Sequence, residues 1–120
     1  MMNQIWGAAE ESSAEEVWVR NDKVPNSYIQ DGQWPTAQLD ESAPIGAFYA
    51  QEIARRLRVL MNDQGLKERH VAERAGLSQK TVNRMLLGDS YCDIATLARL
   101  EAGLETDLYP TGMYRGPRQS

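Results

Sequence analysis

Three residues, Gly76-Leu77-Ser78, separate two stretches that each read as a short helix. No other feature limits the fold of this chain as much. A link that short cannot turn the chain gradually, so the two helices must cross steeply. Glycine permits the left-handed backbone that such a corner needs. Leu77 can plug the angle between the helices, and Ala72 is small enough to let them approach closely. Ser78 is a good N-cap, because its hydroxyl can accept from an otherwise unpaired N–H of the next turn.

The flanking sequence extends this pair into a bundle. In FYAQEIARRLRVLMND the apolar residues Phe48, Ile53, Leu57, Leu60 and Met61 recur at helical spacing. Gly65 stops that helix. KERHVAERA carries Val71, Ala72 and Ala75 on one face and ends at Gly76. The following helix runs from Ser78 to Leu87 and stops at Gly88. Asp93 can cap a fourth helix, IATLARLEAG, whose Ile94, Leu97 and Leu100 are expected to face inward. Leu104 and Leu108 follow, and Pro110 prevents a long continuation. The expected fold is all-α: a compact four- to five-helix bundle with a helix-turn-helix over residues 47–110. A largely irregular N-terminal extension, 1–46, precedes it, and a flexible tail, 111–120, follows.

The extension has its own signals. VWVRNDK and SYIQ-DG-QW read as short extended pieces, the second with an Asp31-Gly32 hairpin turn. Trp6, Trp18 and Trp34 all lie in it. Disordered acidic tails are usually poor in aromatics, so parts of the extension should dock on the helical module or on a partner.

Charge is segregated along the chain. The whole carries net −4, and residues 1–46 carry −6. Residues 55–88 hold eight bases against three acids, a local +5. The distribution, not the overall acidity, is what a polyanionic partner would meet. One cysteine, Cys92, rules out an internal disulfide and suits a reducing cytosol. It reads as a packed small hydrophobe. His70 is a lone histidine, expected on an exposed helix position. No apolar run approaches the ~20 residues of a membrane span, and the N-terminus lacks signal-peptide character. There is no phosphate-binding glycine loop, no serine elbow and no metal-ligand spacing, so neither an enzyme nor a cofactor or metal is expected.

The segment after Ser78 carries the chemistry. On a helical wheel, Val82, Met85 and Leu86 form an apolar stripe. Lys80, Asn83, Arg84 and Leu87 lie opposite, with Gln79 and Thr81 flanking them in the first turn. That outer face offers amide and cationic donors and no carboxylate. Major-groove base edges are read by such groups: arginine or lysine to guanine, asparagine or glutamine to adenine, a threonine methyl to thymine. A solvated polar face is the plain alternative.

The pattern LKERHVAERAGLSQKTVNRMLLG followed by DIATLARLEAGLETDLYP resembles the Cro/phage-repressor type helix-turn-helix, the XRE family. The resemblance spans about residues 47–109. Its markers are Leu57, Leu66, Val71, Ala72, Gly76, Leu77, Ser78, Val82, Gly88, Leu97, Leu100 and Leu104. It implies that Gln79, Lys80, Asn83 and Arg84 contact bases, and that the start of the preceding helix grips phosphate. Three departures stand out. Lys67-Glu68 occupies the place of a polar cap and glutamine, and Glu68 would face phosphate badly. The phosphate role therefore moves to Lys67 and Arg69, with Ser78, Thr81, Arg55 and Arg56 as further backbone contacts. Met61 and Leu86 stand where many members bury an Arg–Glu pair. Tyr109-Pro110 cuts off the C-terminal helix through which members commonly dimerise, leaving the extension as a candidate dimer surface.

The resemblance implies a cytoplasmic, sequence-specific DNA-binding regulator, expected to be a repressor. It would be a homodimer on double-stranded DNA, with half-sites about one helical turn apart. Two alternatives compete. One is an antitoxin-like module that binds a protein partner through residues 1–46, with autoregulatory DNA binding. The other is a phage or mobile-element immunity repressor.

Overall fold

A computed structural model describes residues 22–115. Trp6, Trp18 and most of VWVRNDK lie outside them. Among the described residues there are four α-helices: α1 (Ile45–Gln64), α2 (Glu68–Ala75), α3 (Gln79–Leu87) and α4 (Ile94–Leu104). A two-stranded antiparallel sheet, β1 (Ile29–Asp31) and β2 (Gln38–Leu39), precedes them. The fold is the small all-α helix-turn-helix architecture expected from the sequence.

Each helix starts and stops where short-range chemistry directs. α3 begins at Ser78, whose Oγ accepts the Thr81 N–H at 3.1 Å. α4 begins at Asp93, whose carboxylate accepts the Thr96 N–H at 2.7 Å. α2 and α3 end at Gly76 and Gly88 in the left-handed region, at φ 69° and 79°. There a side chain would crowd the carbonyl and only glycine is unstrained.

The main core gathers Ile53, Leu57 and Met61 of α1, Val71, Ala72 and Ala75 of α2, Val82, Met85 and Leu86 of α3, and Leu97, Leu100 and Leu104 of α4. Leu108 closes it. Full burial of each such aliphatic side chain stabilises the fold by about 1.5–3 kcal/mol. Met61 and Leu86 both sit in this core, so the two positions at which the resemblance implied a buried Arg–Glu pair are apolar and packed. Such a replacement is often neutral or stabilising.

Ile94 departs from expectation: it is 83% exposed. At about 100° per residue, Leu97, Leu100 and Leu104 share one side of α4. Ile94 falls about 120° away from Leu100 on the same wheel. Spacing of three residues repeated twice drifts off a helical face, and the first turn shows the drift.

The hairpin also differs. β1 pairs with Gln38–Leu39, not with Gln33-Trp34, and Ile29 faces Leu39 across the ladder. The Asp31-Gly32 turn opens a longer loop rather than closing a two-residue hairpin. The reason is burial. The alanine and leucine at 37 and 39 join Ala43 and Ala47 in a second small core, and Trp34, Tyr28, Ile29, Phe48 and Tyr91 pack on it. The Gln51 side chain of α1 completes the seam, donating to the Ala37 carbonyl at 3.1 Å and accepting its N–H at 3.0 Å.

Close approach of α2 and α4 depends on Gly103. A Cβ there would strike the Arg74 carbonyl oxygen and lie 2.7 Å from its carbon. The chain after α4 is held by Glu101, whose carboxylate accepts the Leu108 and Tyr109 N–H groups at 2.8 and 2.9 Å.

Candidate nucleic-acid interface

The corner between α2 and α3 is built by the backbone. Gly76 N–H donates to Glu73 and Leu77 N–H donates to Ala72 at 2.9 Å, a pairing that satisfies the last carbonyls of α2. Leu77 is half-buried against the main core. α3 then leaves the corner with Val82, Met85 and Leu86 buried and Gln79, Lys80, Thr81, Arg84 and Leu87 exposed. The side chains of Gln79, Lys80 and Arg84 have no hydrogen-bond or ion-pair partner among the described residues. Three long donor-bearing side chains therefore project from one short helix, with its capped N-terminus adding dipole and N–H groups.

Asn83 stands apart from them. It is half-buried, and its Nδ2 lies 3.2 Å from both carboxylate oxygens of Glu68. Glu68 is the first residue of α2, where a negative charge also complements the helix dipole. The residue that fitted phosphate poorly is thus directed at α3. His70 is half-buried rather than exposed. Its Nδ1 accepts the Lys67 N–H at 2.9 Å and takes the place of a side-chain cap at the start of α2. Lys67 and Arg69 are exposed at that same helix start. Ser78 and Thr81 are tied to each other through their hydroxyls at 2.9 Å as well as through the cap.

Arg55 and Arg56 are drawn elsewhere. Both pair with Glu52, at 2.7 and 2.8 Å, and Arg56 also donates to the Tyr109 carbonyl at 3.2 Å. The hydrogen bond from Arg55, with smaller help from Arg56, holds the Glu52 carboxyl below its ordinary range against the opposing effect of burial. The contacts of these two arginines run to their own helix and to the C-terminal segment, not to α3.

The far end of α3 is covered by the N-terminal segment, which the sequence did not assign to the site. Asn26 N–H donates to the Gly88 carbonyl at 2.9 Å. Its Nδ2 donates to the Leu87 carbonyl at 3.1 Å and to Asp89 Oδ1 at 2.7 Å. The Trp34 ring lies so close to Gly88 that a Cβ there would come within 2.7 Å of it. One signal was present: a tryptophan in an acidic segment, where aromatics are usually scarce.

Cys92 is half-buried against the main core. Burial first, then the charges of Asp93 and Glu101, push its thiol up to about 12. A thiol so rarely ionised at neutral pH is a poor nucleophile. Among the described residues no cluster of His, Cys, Asp and Glu could hold a metal ion, and no helix is long and apolar enough to cross a membrane.

Residues 56–107 match the family model of the Cro/C1-type HTH DNA-binding domain. The match runs from the middle of α1 through α4. No curated protein and no solved structure shows significant similarity to the chain.

Proposed function

We propose that this chain is a sequence-specific DNA-binding repressor, a reading supported by the match of residues 56–107 to the Cro/C1-type HTH DNA-binding domain. α3 enters the major groove and reads bases with Gln79, Lys80 and Arg84, together with Asn83. Lys67 and Arg69 at the start of α2, with Ser78 and Thr81 at the start of α3, hold the phosphate backbone. Arg55 and Arg56 contribute as positive charge at longer range. The chain acts as a homodimer on a palindromic site. The observation that carries this reading is the exposed row Gln79, Lys80 and Arg84, unpartnered among the described residues on a helix whose opposite face is core.

The test is selection of bound sequences from a random DNA pool, followed by binding measurements on variants. Arg84→Ala should lower discrimination among sites by about 1–3 kcal/mol. Lys67→Ala should weaken binding to all sequences alike and flatten the salt dependence. An Arg84→Ala protein with unchanged affinity and site preference would remove α3 from the reading role.

A further inference from the structure

The Glu68–Asn83 contact changes what Asn83 can read. A carboxamide has one acceptor oxygen and an amino group with two donors. Bidentate recognition of adenine uses the oxygen and the nitrogen together, on the 6-amino group and N7. Here the nitrogen faces Glu68, 3.2 Å from each carboxylate oxygen. The opposite amide orientation would set the Asn83 oxygen against a carboxylate, acceptor against acceptor. The charge on Glu68 therefore fixes which end of the amide is committed. Turned away from Glu68 is Oδ1, an acceptor, and beside it the carboxylate keeps lone pairs of its own. The corner of α2 and α3 is an acceptor-rich spot on an otherwise donor-rich face.

Base edges discriminate sharply against such a spot. Guanine offers two acceptors in the major groove and thymine offers one, and each would meet like against like. Adenine offers an amino donor, but its N7 acceptor lies beside it. Cytosine offers the amino donor with no N7 neighbour, and carboxylates accept from that group. We propose that Glu68 and Asn83 act as one acceptor unit that selects cytosine at a single position of the bound site, with Glu68 as a specificity-determining residue. The proposal rests on the assignment of α3 as the reading helix.

Sequence selection with three proteins tests it: the full chain, Glu68→Ala and Glu68→Gln. The unaltered chain should return a site with one position that prefers cytosine by about tenfold. Glu68→Ala frees the amide, so that position should shift toward adenine while the others stay. Glu68→Gln keeps the side chain's size and brings in a donor, so the cytosine preference should fall there alone. Thermal unfolding of each variant shows that it is folded. A site recovered from the unaltered chain but unchanged by both substitutions would overturn the proposal and leave α3 as the reader. So would folded variants whose preference is lost evenly at every position, because that is a structural effect. Failure of the unaltered chain to select any site would overturn the reading role of α3 itself.

Discussion

The helical bundle and the N-terminal segment that leans on it are specified in different ways. Each end of α3 shows one of them. At its start, Ser78 caps a turn only three residues away. At its end, Asn26 reaches Leu87 and Asp89 across 61 and 63 residues of chain. Helix boundaries in the bundle follow from neighbouring residues, whereas the docking of residues 22–44 rests on contacts with α1, the end of α3 and the loop behind it. A substitution should therefore spread differently in the two regions. A change inside the bundle removes the platform for everything else. A change in the docked segment leaves four helices with their own core.

Gly103→Ala should give the largest effect, because the added carbon meets backbone rather than a movable side chain. Separating α2 from α4 opens the main core, and a loss of about 3 kcal/mol or more is expected. Gly65→Ala is the matched contrast. Its φ is 65°, and nothing lies within 4 Å of an added Cβ, so only the left-handed backbone opposes it, at about 1–2 kcal/mol. Denaturant unfolding of the two variants separates packing from backbone strain. Equal losses would mean that the α2–α4 approach is softer than its geometry.

Trp34 tests the docked segment. Trp34→Ala should cost about 2–3 kcal/mol, below the 3–5 typical of a large aromatic in a main core, since the ring is half-buried. Its indole Nε1 is buried with no hydrogen-bond partner among the described residues, and an unmet donor is itself unfavourable. Trp34→Phe keeps most of the ring and removes that donor, so it should fall within about 1 kcal/mol of the parent. Protease cleavage within residues 22–44 should accelerate for the alanine variant and not for the phenylalanine one. If Trp34→Ala left both stability and cleavage untouched, the segment would be an independent appendage and the contrast would collapse.

The same division explains what the sequence disclosed. Gly65, Gly76 and Gly88 ended helices as expected, and Ser78 and Asp93 began them, because caps act within one turn. The apolar stripes of α1, α2 and α3 were legible for the same reason. Ile94 misled because spacing by threes resembles helical spacing over two steps only. β2 was misplaced because turn chemistry at Asp31-Gly32 was weaker than the pull of Ala37 and Leu39 toward a buried site. Gly103 read as an ordinary helix residue, since nothing in its neighbours announces Arg74. At the candidate site, the exposed row of α3 was visible on a wheel. The partnership of Glu68 with Asn83 was not, because it depends on how two helices cross.

The two side-chain caps offer the finest comparison, because one titrates and the other does not. Removing either cap costs about 1 kcal/mol in most helices, so Ser78→Ala and Asp93→Ala should look alike at neutral pH. They should differ in acid. The Asp93 carboxyl is held below its ordinary value of 3.8 mainly by the backbone N–H of Thr96, then by the Thr96 side chain. A carboxyl whose folded pKa is depressed contributes fully above its unfolded value and loses that contribution as pH falls through the folded one. The gap between the parent and Asp93→Ala should therefore stay constant from about pH 5 to 8 and narrow below about pH 4. The Ser78→Ala gap should not narrow, since a hydroxyl accepts the same N–H at either pH. Unfolding midpoints of the three proteins across that range decide it. Parallel curves for all three down to acid would show that Asp93 acts on α4 through something other than its charge.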